Sequence, residues 1–261
     1  MTEYSDIDGC YAIHSVIGPR NTVANIANVT TRHFLVKEPN IPVSLNLKQL
    51  AEFGRCSMGF TGPVTEGMPS LSGVYECYPY FGKTKVSIYE KGSVVQTGYN
   101  SGEQALLCAY KFANQLNKNF NLNIRVSNFS VINIVSIVQT DREIDLDTLK
   151  TLLGPRCYYE NPDVAKRLYG KKEYSGAIVV SKLQKEDRTP KMVLFGTGVA
   201  VFMGCQSREE IVQMMEELYE YLDQVDEHLS RMTVYVKPAR DTVPVLKTIE
   251  AAKNVLSCYK L

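Results

Sequence analysis

Residues 86–104 read VSIYEKGSVVQTGYNSGEQ, and residues 192–210 read MVLFGTGVAVFMGCQSREE with the same punctuation. Gly92 corresponds to Gly198, Gly98 to Gly204, Ser101 to Ser207 and Tyr89 to Phe195, all at an offset of 106 residues. A unit this long that occurs only twice implies a pseudo-dimer within one chain, because solenoid units run about 20–50 residues and need at least three copies.

Within the first copy, Val86, Ile88, Val94 and Gln96 alternate with Ser87, Tyr89, Val95 and Thr97 around the turn Glu90-Lys91-Gly92. That is the pattern of a β-hairpin. The second copy repeats it, with Val193, Phe195, Val201 and Met203 on one side and Leu194, Ala200 and Phe202 on the other. Each hairpin runs into a helix-start signal in which a serine is followed three residues later by Gln or Glu: Ser101 with Gln104, and Ser207 with Glu210. Amphipathic periodicity follows in each copy, through Leu106, Leu107, Tyr110, Ala113 and Leu116, and through Ile211, Met214, Met215, Leu218, Tyr221 and Leu222. Upstream, a shorter helix is expected in LNLKQLAEFG ending at Gly54 and in IDLDTLKTLLG ending at Gly154, the latter preceded by the strand FSVINIVSIV at residues 129–138.

The expected fold class is therefore α+β. Two pseudo-symmetric units share one curved antiparallel sheet, with helices on the convex face and a row of Val, Tyr, Phe and Met on a bare concave face. Such a patch marks a binding surface. The expected divisions are an N-terminal extension (1–20), repeat one (21–120), repeat two (121–230) and a C-terminal extension (231–261).

Composition narrows the function classes. Apolar residues make up 44% of the chain, enough for a real core. Seven cysteines without a CxxC pair point to free thiols in a reducing compartment, and three scattered histidines make no metal site. No run approaches the roughly 18 apolar residues of a membrane span. No nucleophile–base arrangement or carboxylate pair stands out, so no enzyme, cofactor or small-molecule substrate is expected. The net charge is only +1, but the charges are segregated. Residues 209–227 hold eight acids and no Lys or Arg, whereas Lys83, Lys85 and Lys91 flank one hairpin and Lys182, Lys185, Arg188 and Lys191 flank its counterpart.

The order apolar strand, aromatic, turn glycine, strand, Thr-Gly and Ser-x-x-Glu/Gln resembles the core of the TATA-box-binding protein (TBP) family, over roughly residues 23–225, with divergence similar to that of TBP-like proteins of large DNA viruses. FSVINIVSIV running into IDLDTL matches the opening of that family's second repeat. The resemblance implies a saddle that binds and bends A/T-rich promoter DNA through the minor groove. It implies DNA-kinking wedges at Tyr89 and Phe195, with earlier partners at Leu71 and Tyr174, which share a following Ser-Gly. It also implies a minor-groove contact from Asn133, with Asn28 or Phe34 as its repeat-one equivalent, and a floor that includes Val95, Thr97, Val201 and Met203. The seven cations would straddle phosphates, and about six of them would give a salt slope near −5. Tyr159-Glu160 matches a surface that receives a TFIIB-like factor, with RNA polymerase machinery beyond it. The place of action is then the nucleus or a cytoplasmic viral factory. The Leu/Tyr/Tyr/Phe wedge set and the Thr97-to-Met203 change leave a second reading open, a TBP fold whose concave face serves protein binding or dimerisation.

Overall fold

The computed structural model describes residues 15–38, 41–57, 70–76, 83–160, 176–185 and 187–231. These form two compact units. The first runs from Ile26 to Ile134, and the second combines Ser15–Asn25 with the chain from Val135 onward. The divisions lie inside the two longest strands, β2 (Val23–Lys37) and β7 (Ile124–Gln139).

In the first unit, β4 (Ser70–Glu76), β5 (Lys83–Tyr89), β6 (Ser93–Tyr99) and β2 pair antiparallel in that order, and the two-residue β3 (Ile41–Pro42) adds to β2. The β5–β6 hairpin is in the expected register, with Ile88 opposite Val94 and Ser87 opposite Val95. Helix α1 (Leu47–Ser57) precedes β4, and α2 (Gly102–Phe120) follows β6. Ser101 accepts a hydrogen bond from the Gln104 amide at 3.2 Å, while the Gln104 side chain accepts from the Asn100 N–H at 3.2 Å. The cap thus reaches one residue further back than a strict capping box. Side chains alternate along a strand, and here the alternation decides burial. Leu71, Val86, Ile88 and Val94 are buried on the side of Phe112 and Leu116 of α2, and Tyr75 meets the Phe112 ring edge-on at 5.2 Å. Each such side chain contributes about 1.5–3 kcal/mol by leaving water.

The second unit repeats this plan with β11 (Val199–Cys205), β10 (Lys191–Phe195), β9 (Gly176–Val180) and β8 (Cys157–Tyr159), preceded by α3 (Leu146–Leu153) and followed by α4 (Arg208–Arg231). Ser207 accepts from the Glu210 amide at 3.3 Å, and Glu210 accepts from the Gln206 N–H at 2.7 Å, the same displaced cap as in α2. Met192, Leu194, Ala200 and Phe202 are fully buried, as are Ile211, Met214, Met215 and Leu218 of α4. Residues 15–20, expected in an extension, and 21–25, expected in repeat one, belong to this unit. Strand β1 (Ser15–Ile17) pairs with the start of β2, Arg20 bridges Asp223 of α4, and Thr22 hydrogen-bonds Tyr219. Among the described residues Cys108, Cys157 and Cys205 are free and buried, no helix is long and apolar enough to cross a membrane, and no group of ligating side chains is placed to hold a metal.

The two turn glycines fix how the copies correspond. Gly92 and Gly198 adopt φ of +78° and +84°, a region glycine enters freely. The Gly92 carbonyl accepts from Leu35 N at 2.8 Å, and the Gly198 carbonyl accepts from Thr140 N at 2.9 Å. Leu35 is therefore the counterpart of Thr140, an offset of 105 residues. Further on, Leu45 N donates to Glu90 and Ile144 N to Gly196, an offset of 99. The first unit thus carries six extra residues between its long strand and its first helix.

Candidate nucleic-acid interface

Counting back from Leu35 and Thr140, each by seven residues, puts Asn28 at the position of Asn133. Phe34, the gapless candidate, is the counterpart of Gln139 and is displaced by the six-residue insertion. Asn28 sits in a hydrogen-bond chain on the face away from α2. The Thr30 hydroxyl donates to Thr97 Oγ1 at 3.1 Å, Thr97 donates to Asn28 Oδ1 at 3.0 Å, and the Gly98 N–H donates to the same oxygen at 2.8 Å. With two donors on its oxygen, the amide has one possible orientation. Its NH2 group faces outward, and no partner for it occurs among the described residues. Thr30 was missed in the sequence because only its register opposite Thr97 gives it meaning.

The rest of this face is half-exposed to exposed and mixed in character, and it includes the exposed apolar Phe34 and Val74. It holds Val95, Ser87, Ser72, Tyr89 and the exposed Lys85 and Arg32. Tyr89 pairs with Ser70, two residues along the strand from the Ser72–Ser87 pair. Arg32 also escaped the sequence reading; its place opposite Val95 puts it on this face.

The equivalent face of the second unit differs from expectation. Val193 and Val201 are 0% exposed and Ile178 and Val135 nearly so, with Phe195, Met203, Ile137 and Tyr158 packed against them. The bare row of apolar side chains is a closed cluster here. Alternation along the strands told which side these residues take, but a pattern within one strand carries no information about what lies over it. Phe195 and Tyr89 do share the predicted orientation, each away from the long helix of its unit. Asn133 is half-buried on β7, and Met203, which has no hydroxyl, stands where Thr97 holds Asn28.

Leu71 is not a wedge. It is fully buried opposite Ile88 on the α2 side, whereas Tyr89 lies on the other face. The shared Ser-Gly that paired it with Tyr174 is a coincidence of local sequence. Gly73 pairs with Val86, but Gly176 pairs with Phe195, so the strands align with Leu71 at the position of Ala177. Tyr174 and the Lys83 side chain lie outside the described residues.

Three of the expected phosphate-binding cations are committed elsewhere. Lys182 bridges Glu220 at 2.8 Å, and Arg188 bridges Glu210 at 2.6 Å with Lys185 nearby at 3.9 Å. Burial works to raise the Glu210 carboxyl, but Arg188, the Gln206 N–H and Lys185 together outweigh it and hold the group below the usual carboxylate range. These cations serve the acidic helix α4, which explains why both charge sets occur in one half. Lys85, Lys91 and Lys191 remain exposed, Lys191 within 3.5 Å of the Tyr158 hydroxyl.

Tyr159 is tied to α3. Its hydroxyl donates to Asp147 at 3.0 Å, and the Lys150 ammonium lies 4.8 Å from its ring centre. Burial, with Asp147 adding to it, pushes its phenol up to about 12. Glu160 follows it at the strand's end, half-buried.

The sequence profile of the family "Transcription factor TFIID (or TATA-binding protein, TBP)" matches residues 128–225. That stretch is similar to a TBP-family domain. It runs from within β7 through most of α4, over a third of the chain. Methanococcus jannaschii TBP superposes with a TM-score of 0.56 at 20% identity, covering 77% of this chain and 98% of its own. The TBP fold therefore extends over both units, including the first, which the family profile meets only at residues 128–134. A chain from the complex of A. aeolicus tRNASec with M. kandleri SerRS overlaps at a TM-score of 0.27 and 12% identity, covering 82% of this chain and 33% of that one, a level that carries no structural meaning. No curated protein matches in sequence.

Proposed function

We propose that this TBP-fold chain is a transcription initiation factor that binds A/T-rich promoter DNA through the minor groove and bends it, with the first unit making the initial contact. The observation that carries the reading is the Asn28 amide, whose oxygen is held by Thr97 and Gly98 so that only its N–H donors face outward. In the minor groove an A·T pair offers acceptors alone, and a G·C pair adds the guanine amino donor, which a fixed donor repels. Tyr89 then stands as the wedge of the first unit. Phe195 becomes one when its packed cluster opens, at an unstacking cost of a few kcal/mol that is offset by the added contact with bent DNA. The TFIIB-like factor is placed at Tyr159-Glu160, beside α3, with polymerase machinery following. The place of action is wherever promoters are read, the nucleus or a viral factory.

An apolar protein-docking face fits less well. The open face of the first unit mixes Phe34, Val74, Tyr89 and Val95 with serine, threonine, lysine and arginine, and its hydroxyls and charges suit phosphates and base edges.

Two results test this. Asn28→Asp keeps the acceptor that Thr97 and Gly98 require but replaces the outward donor with a charged oxygen. Gel-shift titrations should show at least about tenfold weaker binding to A·T-rich duplex, in line with about 1–3 kcal/mol for a base contact, with the folded state intact. Unchanged affinity would remove Asn28 from the interface. Salt titration gives the second. With Lys85, Lys91, Lys191 and Arg32 each neutralising one phosphate, log K against log salt should slope at about −3.5 instead of −5. Alanine at Lys182, Lys185 or Arg188 should leave that slope unchanged. A slope steeper by about one for each position retained would return those cations to the phosphates.

A further inference from the structure

We propose that the Ser72–Ser87 pair makes the face of the first unit tolerant of a G·C pair at one base step. The inference rests on the minor-groove reading above and adds a sequence preference to it.

Ser72 and Ser87 lie directly opposite each other on β4 and β5, with their hydroxyl oxygens 2.8 Å apart. Both are half-exposed on the face away from α2. The neighbours that point the other way, Leu71, Val86 and Ile88, are fully buried, so the orientation is not in doubt from register or burial. One hydroxyl donates to the other. The pair keeps a further O–H and several lone pairs for whatever lies above it.

Their counterparts by the offset of 106 are Ile178 and Val193, members of the buried apolar cluster. The same two floor positions are therefore branched and apolar in one unit, small and hydroxylic in the other. An Ile/Val floor gives the guanine amino group neither space nor an acceptor, so a G·C pair above it loses a hydrogen bond to water. A Ser/Ser floor supplies both: each side chain lacks at least the second γ-branch of its counterpart, and a hydroxyl oxygen accepts the amino proton. The base step concerned lies next to the wedge, since Tyr89 is two residues from Ser87 on the same face. Asn28, whose outward donors repel the amino group, governs a different step on β2.

The test uses the full chain and duplexes carrying a short A·T island flanked by G·C, which fixes the register. A single G·C pair is stepped through the island, then replaced by inosine·C, which lacks the amino group. The expected profile is unequal. One step should bind within about threefold of the parent, while the other steps should lose about tenfold or more, the usual scale for one wrong base pair. S72V/S87V should raise the tolerated step to about a tenfold penalty, and inosine should abolish that penalty. S72A/S87A removes the acceptors without adding bulk and should give an intermediate loss, which keeps the test open if the valine variant does not fold. A profile with no tolerated step, or one unchanged in both variants, overturns the serine assignment while leaving A·T binding intact. If the island itself is bound no better than G·C duplex, the minor-groove reading fails and this inference falls with it.

Discussion

Replacing Glu217 with alanine should destabilise the second unit by about 3–5 kcal/mol. Glu217 lies on α4 with only 6% of its surface exposed, and it is the shared acceptor of three donors. The Ser181 hydroxyl donates to one carboxylate oxygen, and the Lys182 N–H, at 2.7 Å, and the Tyr221 hydroxyl donate to the other. Arg156 stands 3.9 Å from the carboxylate and donates to the Tyr221 hydroxyl at 2.9 Å. The site joins the end of β9, the turn after α3 and the middle of α4. Alanine leaves the three donors buried without an acceptor, at about 1–3 kcal/mol each, less what is recovered by no longer dehydrating a carboxylate. The control is Glu220→Ala on the same helix, whose exposed bridge to Lys182 should be worth less than about 1 kcal/mol. Urea unfolding of both variants separates the two cases, and similar small losses would mean that the three donors find water instead. Because α4 backs the strands that carry Phe195 and Met203, the Glu217 variant should also weaken DNA binding, and the Glu220 variant should not.

Much of this fold was legible in the sequence because its signals are local. Gly92 and Gly198 mark tight turns, Ser101 and Ser207 mark helix starts, and alternation through Val86–Ile88 and Val193–Phe195 marks faces. What failed depends on register or on cover. Asn28 and Phe34 stayed indistinguishable because six inserted residues lie in a loop, where no hydrophobic period records them. Leu71 was paired with Tyr174 through a shared dipeptide, but strand pairing is set by the whole face, and a three-residue slip moves a side chain to the opposite side. Lys182, Lys185 and Arg188 were read as free charge because their partners, Glu220 and Glu210, are more than twenty residues away in sequence. The closed cluster around Val193 was unreadable in principle. An apolar face looks the same in sequence whether solvent or protein lies over it.

Acid should weaken the first unit through a single histidine, by up to about 3 kcal/mol, and His33→Leu should remove that part of the loss. His33 is fully buried on the α2 side of β2, stacked on Phe129 with ring centres 6.4 Å apart. Neither ring nitrogen has a hydrogen-bond partner, nor do the nearby Thr31 hydroxyl and Gln96 amide. Burial alone lowers its pKa from 6.5 to about 4. The folded state therefore prefers the neutral ring. The stability it confers is complete above the unfolded-state value near 6.5 and is lost as pH falls through about 4, at about 1.4 kcal/mol for each unit between the two. Leucine does not titrate, fills a similar volume and keeps an apolar contact for Phe129, so the variant should also gain about 1 kcal/mol or more at neutral pH by removing an unpaired polar group. Urea unfolding at pH 7.5 and pH 4.5 reads both effects, with carboxylate titration common to the two proteins. Equal pH dependence in wild type and variant would show that the imidazole is solvated on the folded side. Strand β2 presents Asn28, Thr30 and Arg32 on one face and Thr31 and His33 on the other. Loosening of the strand by a charged His33 should therefore weaken DNA binding at a higher pH than global unfolding requires, and the leucine variant should keep its affinity there.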